Sequence, residues 1–123
     1  VKKEELAIDI VDDDTSVCRA LARLLNAAGY RNTRQFNSAE DFLVTAGQRN
    51  ASLLILDLQL PGMGGIDLLE HLRSSGSRMP VILISSHDEE LMRARDMHYD
   101  SVAFLPKPFE EKELIAVIRS VNP

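Results

Sequence analysis

Short apolar runs alternate with stretches of helical spacing along the whole chain. Ala7 to Val11 (AIDIV) reads as a buried strand. Thr15 to Ala28 carries Val17, Leu21, Leu24 and Ala28 at helical spacing, with Asp14 or Thr15 as N-cap and Gly29 as the stop. Arg31 to Phe36 is a weaker strand. Ser38 to Ala46 is a short helix that opens with a capping-box-like Ser38-x-x-Asp41 and ends at Gly47. Ser52 to Leu56 is strongly apolar and reads as a strand. The Pro61–Gly65 loop (PGMGG) follows, then a helix through Ile66, Leu69 and Leu72 that ends near Gly76. Pro80 to Ile84 (PVILI) is a buried strand, Glu89 to Met97 a polar helix, and Ser101 to Leu105 a strand. Glu110 to Val121 is a helix with Leu114, Ile115, Ile118 and Val121 inward.

These are five β–α units. Strands that are apolar throughout, alternating with helices, predict a parallel sheet covered on both faces, hence an α/β fold. The 123 residues suffice for one domain with a real core, here about 7–121. Hydrophobic residues make up 45% and charged residues 27%, the balance of an ordinary globular domain. A net charge of -5 gives no bulk reason to expect a nucleic-acid or anionic-membrane surface. No apolar run approaches a membrane span, and no signal peptide is visible. The single cysteine, Cys18, excludes an internal disulfide and fits a reducing cytoplasm. It is expected to be a partly buried helix residue. The chain begins at Val1 without a methionine and ends at Pro123 just beyond a helical pattern, which points to a domain with neighbours on at least one side.

Functional groups of an open parallel sheet gather at the carboxyl ends of its strands. After the first strand stand Asp12, Asp13 and Asp14; after the third, Asp57; after the fourth, Ser85, Ser86 and His87; after the fifth, Lys107 between Pro106 and Pro108. Asp57 is the costly one. Four apolar residues run straight into it, and a carboxylate there is expensive to bury without a partner. Several carboxylates at one sheet edge repel one another, and a hard divalent cation such as Mg²⁺ relieves this through one or two carboxylates plus waters. A lysine and a hydroxyl beside such a centre can hold phosphoryl oxygens, and an aspartate so placed can act as the nucleophile. Asp14 alone reads as a helix cap.

Four motifs, IVDDD (Ile10–Asp14), LILDLQLPGMGG (Leu54–Gly65), PVILISS (Pro80–Ser86) and FLPKPF (Phe104–Phe109), stand in an order and spacing that resembles the receiver domain of two-component response regulators. The resemblance runs from about Ala7 to Val121. It implies a flavodoxin-like (βα)₅ doubly wound fold with strands ordered 2-1-3-4-5, as one receiver domain over 1–123 with an output domain elsewhere. It implies that Asp57 takes a phosphoryl group from the phosphohistidine of a histidine kinase or phosphotransfer protein. Asp13 would contact Mg²⁺ directly and Asp12 mostly through water, with Asp57 and the Gln59 backbone carbonyl completing the protein ligands. Ser85 and Lys107 would hold the phosphoryl group, Lys107–Pro108 would be cis, and Phe104 would be the aromatic that turns inward with Ser85 on switching. Gln59 and His87 would tune how long the phosphoryl group lasts. Gln59 has no carboxylate to act as a base toward water, so slow self-hydrolysis is expected. His87 is expected to face solvent.

The same resemblance implies kinase docking near the first helix. It makes the face of fourth helix, last strand and last helix an output surface or homodimer contact. Asp100 stands where many members carry glycine; aspartate can adopt the positive φ that glycine permits, so the fold is expected to survive. His71 and His98 are expected to be a solvated and a helix-end residue, and Gly62, Gly64 and Gly65 to shape the loop beside the site. No zinc spacing, Walker loop or dinucleotide loop is present, and no unit reads as a basic DNA-recognition helix. Particular residues oppose three other readings. A phosphate-independent interaction module is opposed by the intact acidic set. An aspartate-nucleophile phosphatase is opposed by Gln59 where such enzymes usually place a second aspartate. A flavodoxin-like flavin binder is opposed by three aspartates where the flavin's phosphate loop would be.

Overall fold

The register of five parallel strands decides where every chemically active group of this chain lies. The computed structural model describes residues 2–46 and 51–121. Its elements, after a 3₁₀ turn at Lys3–Glu5, are β1 (Ile8–Val11), α1 (Thr15–Ala27), β2 (Thr33–Phe36), α2 (Ala39–Ala46), β3 (Leu53–Asp57), α3 (Gly65–Ser74), β4 (Val81–Ser85), α4 (Asp88–Asp96), β5 (Val102–Pro106) and α5 (Glu111–Val121). The strands pair in the order β2-β1-β3-β4-β5, all parallel, as expected. Gly47, read as the stop of the second helix, lies outside the described residues. Among the described residues no helix is long and apolar enough to cross a membrane.

The apolar strands β1, β3 and β4 are buried along their whole length because each feeds two cores. Ile8, Ile10, Ile55 and Ile84 point to the side that α1 and α5 cover. Val11, Leu54, Leu56 and Leu83 point to the side of α2, α3 and α4. Side chains alternate along a strand, so a run with no polar face can only be a strand covered twice. β2, at the edge, is half-exposed, which is why its pattern is weak.

Asp14 caps α1, its carboxylate accepting from the backbone N–H of Ser16 and Val17. The Ser38 hydroxyl accepts from the Asp41 N–H at 3.0 Å at the start of α2. The α1 face departs from expectation. Cys18, Leu21 and Leu25 form its buried line, while Val17, Leu24 and Ala28 flank it half-buried. A stripe wider than one ridge lets either set read as inward, and the small Cys18 sits closest to the sheet. Cys18 is therefore fully buried rather than partly so, with Sγ 3.4 Å from the Asp12 carbonyl oxygen. Burial and the neighbouring aspartates push its thiol up to about 11. In α3, Leu68 joins Leu69 and Leu72 in the core, and Ile66 is left half-buried. In α5, Leu114 and Ile118 are buried and Ile115 and Val121 pack at the margin.

Asp100 does not use the positive φ that aspartate can adopt. The left-handed residues are His98 (φ 55) and Ser101 (φ 58), on either side. The Arg73 guanidinium of α3 donates to the carbonyls of Ser77, Met79 and Asp100 and so holds the Asp100 carbonyl in place between these two turns. Lys107–Pro108 is cis.

Gly65 starts α3 directly against the end of β3. A Cβ there would lie 2.6 Å from the Asp57 carbonyl oxygen and 2.7 Å from Leu58 Cα. Gly65→Ala must push α3 off the strand that carries Asp57. It is expected to lower stability by about 1–3 kcal/mol, measured by urea denaturation.

Candidate functional site

The strand register converts a scattered set of residues into a cluster. Val11 pairs with Leu56 and Asp57 with Ile84, and Ser85 with Pro106. Asp12, Asp57, Ser85 and Lys107 are thus brought to one end of the sheet. Asp57 is the last residue of β3 itself, not the first beyond it, so it is held as rigidly as the core. Asp12 is 3% and Asp57 7% exposed, while Asp13 is on the surface at the mouth.

Carboxylate oxygens of Asp12, Asp13 and Asp57 all lie within 4.8 Å of one another. Lys107 reaches into this group from just beyond β5, its Nζ 3.1 Å from Asp57 Oδ2 and 3.4 Å from Asp12 Oδ2. The remaining oxygens are oriented by the chain itself: Asp14 N–H donates to Asp12 Oδ1 and Gln59 N–H to Asp57 Oδ1, each at 2.9 Å. Burial pushes the Asp12 carboxyl up to about 6, against the pull of the Asp14 N–H, with the Asp57 charge adding to the rise. For Lys107, burial disfavours the ammonium, but the hydrogen bonds and charges of Asp57 and Asp12 outweigh it and hold its pKa above the ordinary value. Three carboxylates and one ammonium leave the cluster short of positive charge. All donors aimed into it are hard oxygens, which suits Mg²⁺ and not zinc.

The other predicted residues are nearby but engaged elsewhere. Ser85 Oγ accepts from the His87 N–H at 2.9 Å and donates to the His87 carbonyl at 3.3 Å, so its hydroxyl serves the turn into α4. Phe104 is half-buried against the α4 side of the sheet, with the Arg95 guanidinium carbon 5.1 Å from its ring centroid. His87 is exposed as expected, yet its ring does not simply face water. Its Nε2 lies 3.4 Å from Gln59 Nε2 and its Nδ1 3.3 Å from Ser86 Oγ. His71 is exposed on α3, and His98 is exposed just past α4. Gly62 adopts φ +71, and the Glu40 carboxylate of α2 accepts from the adjacent Met63 N–H at 3.0 Å, pinning the PGMGG loop.

Two residues of this neighbourhood had no signal in the sequence. Glu40 and Glu90 both look like solvated helix charges, and only the three-dimensional fold brings Glu40 to Met63 and Glu90 to Gln59. Beside Lys107 lies an open apolar groove of about 490 Å³, lined by Val17, Leu21, Leu24, Pro108 and Phe109.

A family model described as response regulator receiver domain matches residues 8–119. The chain is 38% identical over 117 residues to the response regulator protein TmoT of Ectopseudomonas mendocina, covering 95% of this chain and 53% of that protein. It is 32% identical over 117 residues to the transcriptional regulatory protein FixJ of Azorhizobium caulinodans, covering 95% and 55%. The structure of the response regulator StyR matches with a TM-score of 0.83 at 37% identity, over 93% of this chain and 57% of that one. The chain spans about half the length of the curated relatives it matches.

The raised Asp12 carboxyl has a consequence for stability. Between its ordinary value of 3.8 and about 6 the folded state holds this proton more tightly than the unfolded chain does. The group therefore opposes folding above about pH 6, and the opposition fades as pH falls toward 4. Asp12→Asn in EDTA should be more stable than the parent at pH 7.5 by about 1–2 kcal/mol. The gap should close by pH 4 in thermal melts across that range.

Proposed function

The chain belongs to the response regulator receiver domain family, and on that premise we propose that it accepts a phosphoryl group on Asp57 from a phosphohistidine and relays that event to an output partner. The observation that carries the reading is the Lys107 ammonium, 3.1 Å from the Asp57 carboxylate and 3.4 Å from that of Asp12, inside a cluster with too little positive charge. An acid held in this way is poised for an incoming group that brings its own oxygens to the lysine.

In the transfer, a carboxylate oxygen of Asp57 forms a bond to phosphorus as the P–N bond of the donor breaks. The leaving imidazole nitrogen keeps the electron pair. Lys107 exchanges a carboxylate oxygen for a phosphoryl oxygen, which costs it no charge partner. Ser85 can donate its hydroxyl proton to the phosphoryl group by giving up only the 3.3 Å bond to the His87 carbonyl. Asp12, Asp13, Asp57 and the Gln59 carbonyl would hold Mg²⁺, which would supply the positive charge that the cluster lacks. Turning Ser85 toward the acceptor frees space on β4, and the half-buried Phe104 of neighbouring β5 is the ring that fills it, shifting the α4–β5–α5 face. That face is the proposed output or dimer surface, and exposed Met92 and Met97 lie on or beside α4.

The apolar groove between α1 and Pro108–Phe109 opens at the acceptor lysine and is the proposed docking place of the kinase or phosphotransfer protein. The relatives TmoT and FixJ are named as regulators, FixJ of transcription, and this chain covers about half of each. The output half is inferred to be a transcription-regulating domain, in the cytoplasm, with any DNA contact outside these 123 residues. The chain assists its own modification and is not an enzyme of many turnovers.

Intact mass after incubation with acetyl phosphate and Mg²⁺ tests the reading. One phosphoryl group should be gained, none in Asp57→Ala and none in EDTA. Mg²⁺ alone should raise the melting temperature of the parent, by about 1–3 kcal/mol of stabilisation at saturating ion, and should do so much less in Asp57→Ala. Uptake of phosphate that survives Asp57→Ala would overturn the assignment. Because Gln59 offers no base, the phosphoryl group once gained should be lost slowly compared with a Gln59→Asp variant.

A further inference from the structure

Gln59 is an exposed residue whose side chain is nevertheless tied at its tip. Its backbone N–H donates to the Asp57 carboxylate, so residue 59 adjoins the acceptor. From there the side chain crosses from the β3–α3 loop to α4. Nε2 donates to Glu90 Oε1 at 3.2 Å and lies 3.4 Å from His87 Nε2. The two N–H groups of one carboxamide can serve both partners at once. His87 Nε2 then accepts, and its Nδ1–H donates to Ser86 Oγ at 3.3 Å, so every contact of the array has a donor and an acceptor. Of the two contacts, the one to the Glu90 carboxyl oxygen is the shorter, 3.2 against 3.4 Å. Glu90 is itself anchored in the first turn of α4, its N–H donating to the His87 carbonyl at 3.1 Å.

We propose that Glu90 is a positioning residue that holds the Gln59 carboxamide beside the acceptor, and that this bridge sets how long a phosphoryl group on Asp57 survives. The inference rests on the receiver reading above. The bridge joins the loop after the strand bearing Asp57 to the helix that follows the strand bearing Ser85. Hydrolysis there requires a water oxygen to bond to phosphorus while the bond to the Asp57 oxygen breaks. Asp57 leaves as carboxylate with the electron pair, and the water's proton passes to the released phosphate and solvent. A carboxamide fixed between that loop and α4 hinders the water's approach, whereas a free one swings aside. Glu90 belongs to α4, so a partner that displaces α4 also releases the fence. By reciprocity, whatever holds the bridge holds α4.

The experiment loads the whole chain from acetyl phosphate with Mg²⁺, removes the donor, and follows loss of the phosphoryl mass with time. Glu90→Ala should shorten the lifetime by roughly five-fold or more. Glu90→Gln retains an acceptor oxygen and should stay within about two-fold of the parent, a rescue that a merely structural defect would not show. Gln59→Ala should also shorten the lifetime, and adding Glu90→Ala to it should change nothing further, as for two residues acting through one contact. An unchanged lifetime in Glu90→Ala, or effects that multiply in the double variant, would overturn the role of Glu90 while leaving the receiver reading intact. A parent that gains no phosphoryl group would overturn that reading and this inference together.

Discussion

Two carboxylates, Asp12 and Asp57, are buried at one end of the sheet with a single ammonium between them. Most of the molecule can be understood as the support for that arrangement. Burying a charge is costly enough that the group would neutralise or move if the surroundings were soft. Here they are not soft. Asp57 ends a fully buried strand whose neighbours on both sides are equally buried. The α3 helix presses so closely on that strand end that only a glycine fits at residue 65. The price of burial appears in the Asp12 carboxyl, pushed up to about 6, and the compensation in Lys107, held above its usual value despite its own burial.

Because the strands are parallel and in register, an event at one strand end has short routes to others. Asp57 and Ser85 end the adjacent strands β3 and β4, Lys107 directly follows neighbouring β5, and Phe104 lies on β5 beside Leu83 of β4. Ser85 is the hinge of this set: it ends β4 beside β3, and both hydrogen bonds of its hydroxyl go to the His87 backbone in the turn leading to α4. The Gln59–Glu90 contact is a second route to the same helix. Both ties run from the strand ends around Asp57 to α4 or the turn before it, which makes α4 the helix most directly linked to the proposed acceptor.

The chain's order of elements and the acidic strand ends were legible from the sequence because both follow from one-dimensional patterns. Apolar runs such as Leu53–Leu56 have no polar face, and Asp57 breaks such a run where no turn residue is needed. What was not legible depends on contacts between residues far apart. The sequence offered Val17, Leu21, Leu24 and Ala28 as the inner face of α1, whereas packing against the sheet selected Cys18, Leu21 and Leu25. Asp100 could have adopted the positive φ common to glycine at that point, but the turns fall on His98 and Ser101, while Arg73 on a different helix donates to the Asp100 carbonyl. Glu90 lies 31 positions from Gln59, and no local pattern distinguishes it from Glu89 beside it.

The chain also contains its own control for what makes a buried acid reactive. Asp9, in the middle of β1, is 1% exposed, more deeply buried than Asp57. It is matched by Arg34, its register partner on β2, whose Nε and Nη2 donate to its two oxygens at 3.1 and 3.0 Å. One acid meets one guanidinium in a two-pronged bond that satisfies charge and geometry together, and such a pair has nothing to gain from a ligand. At the strand end the proportions differ: three carboxylates share one flexible ammonium, and one of the three, Asp13, is open to solvent. Burial alone therefore does not mark the acceptor. The mark is burial combined with incomplete compensation at an edge a partner can reach, which is why Asp9 serves the sheet and Asp57 is left to serve chemistry.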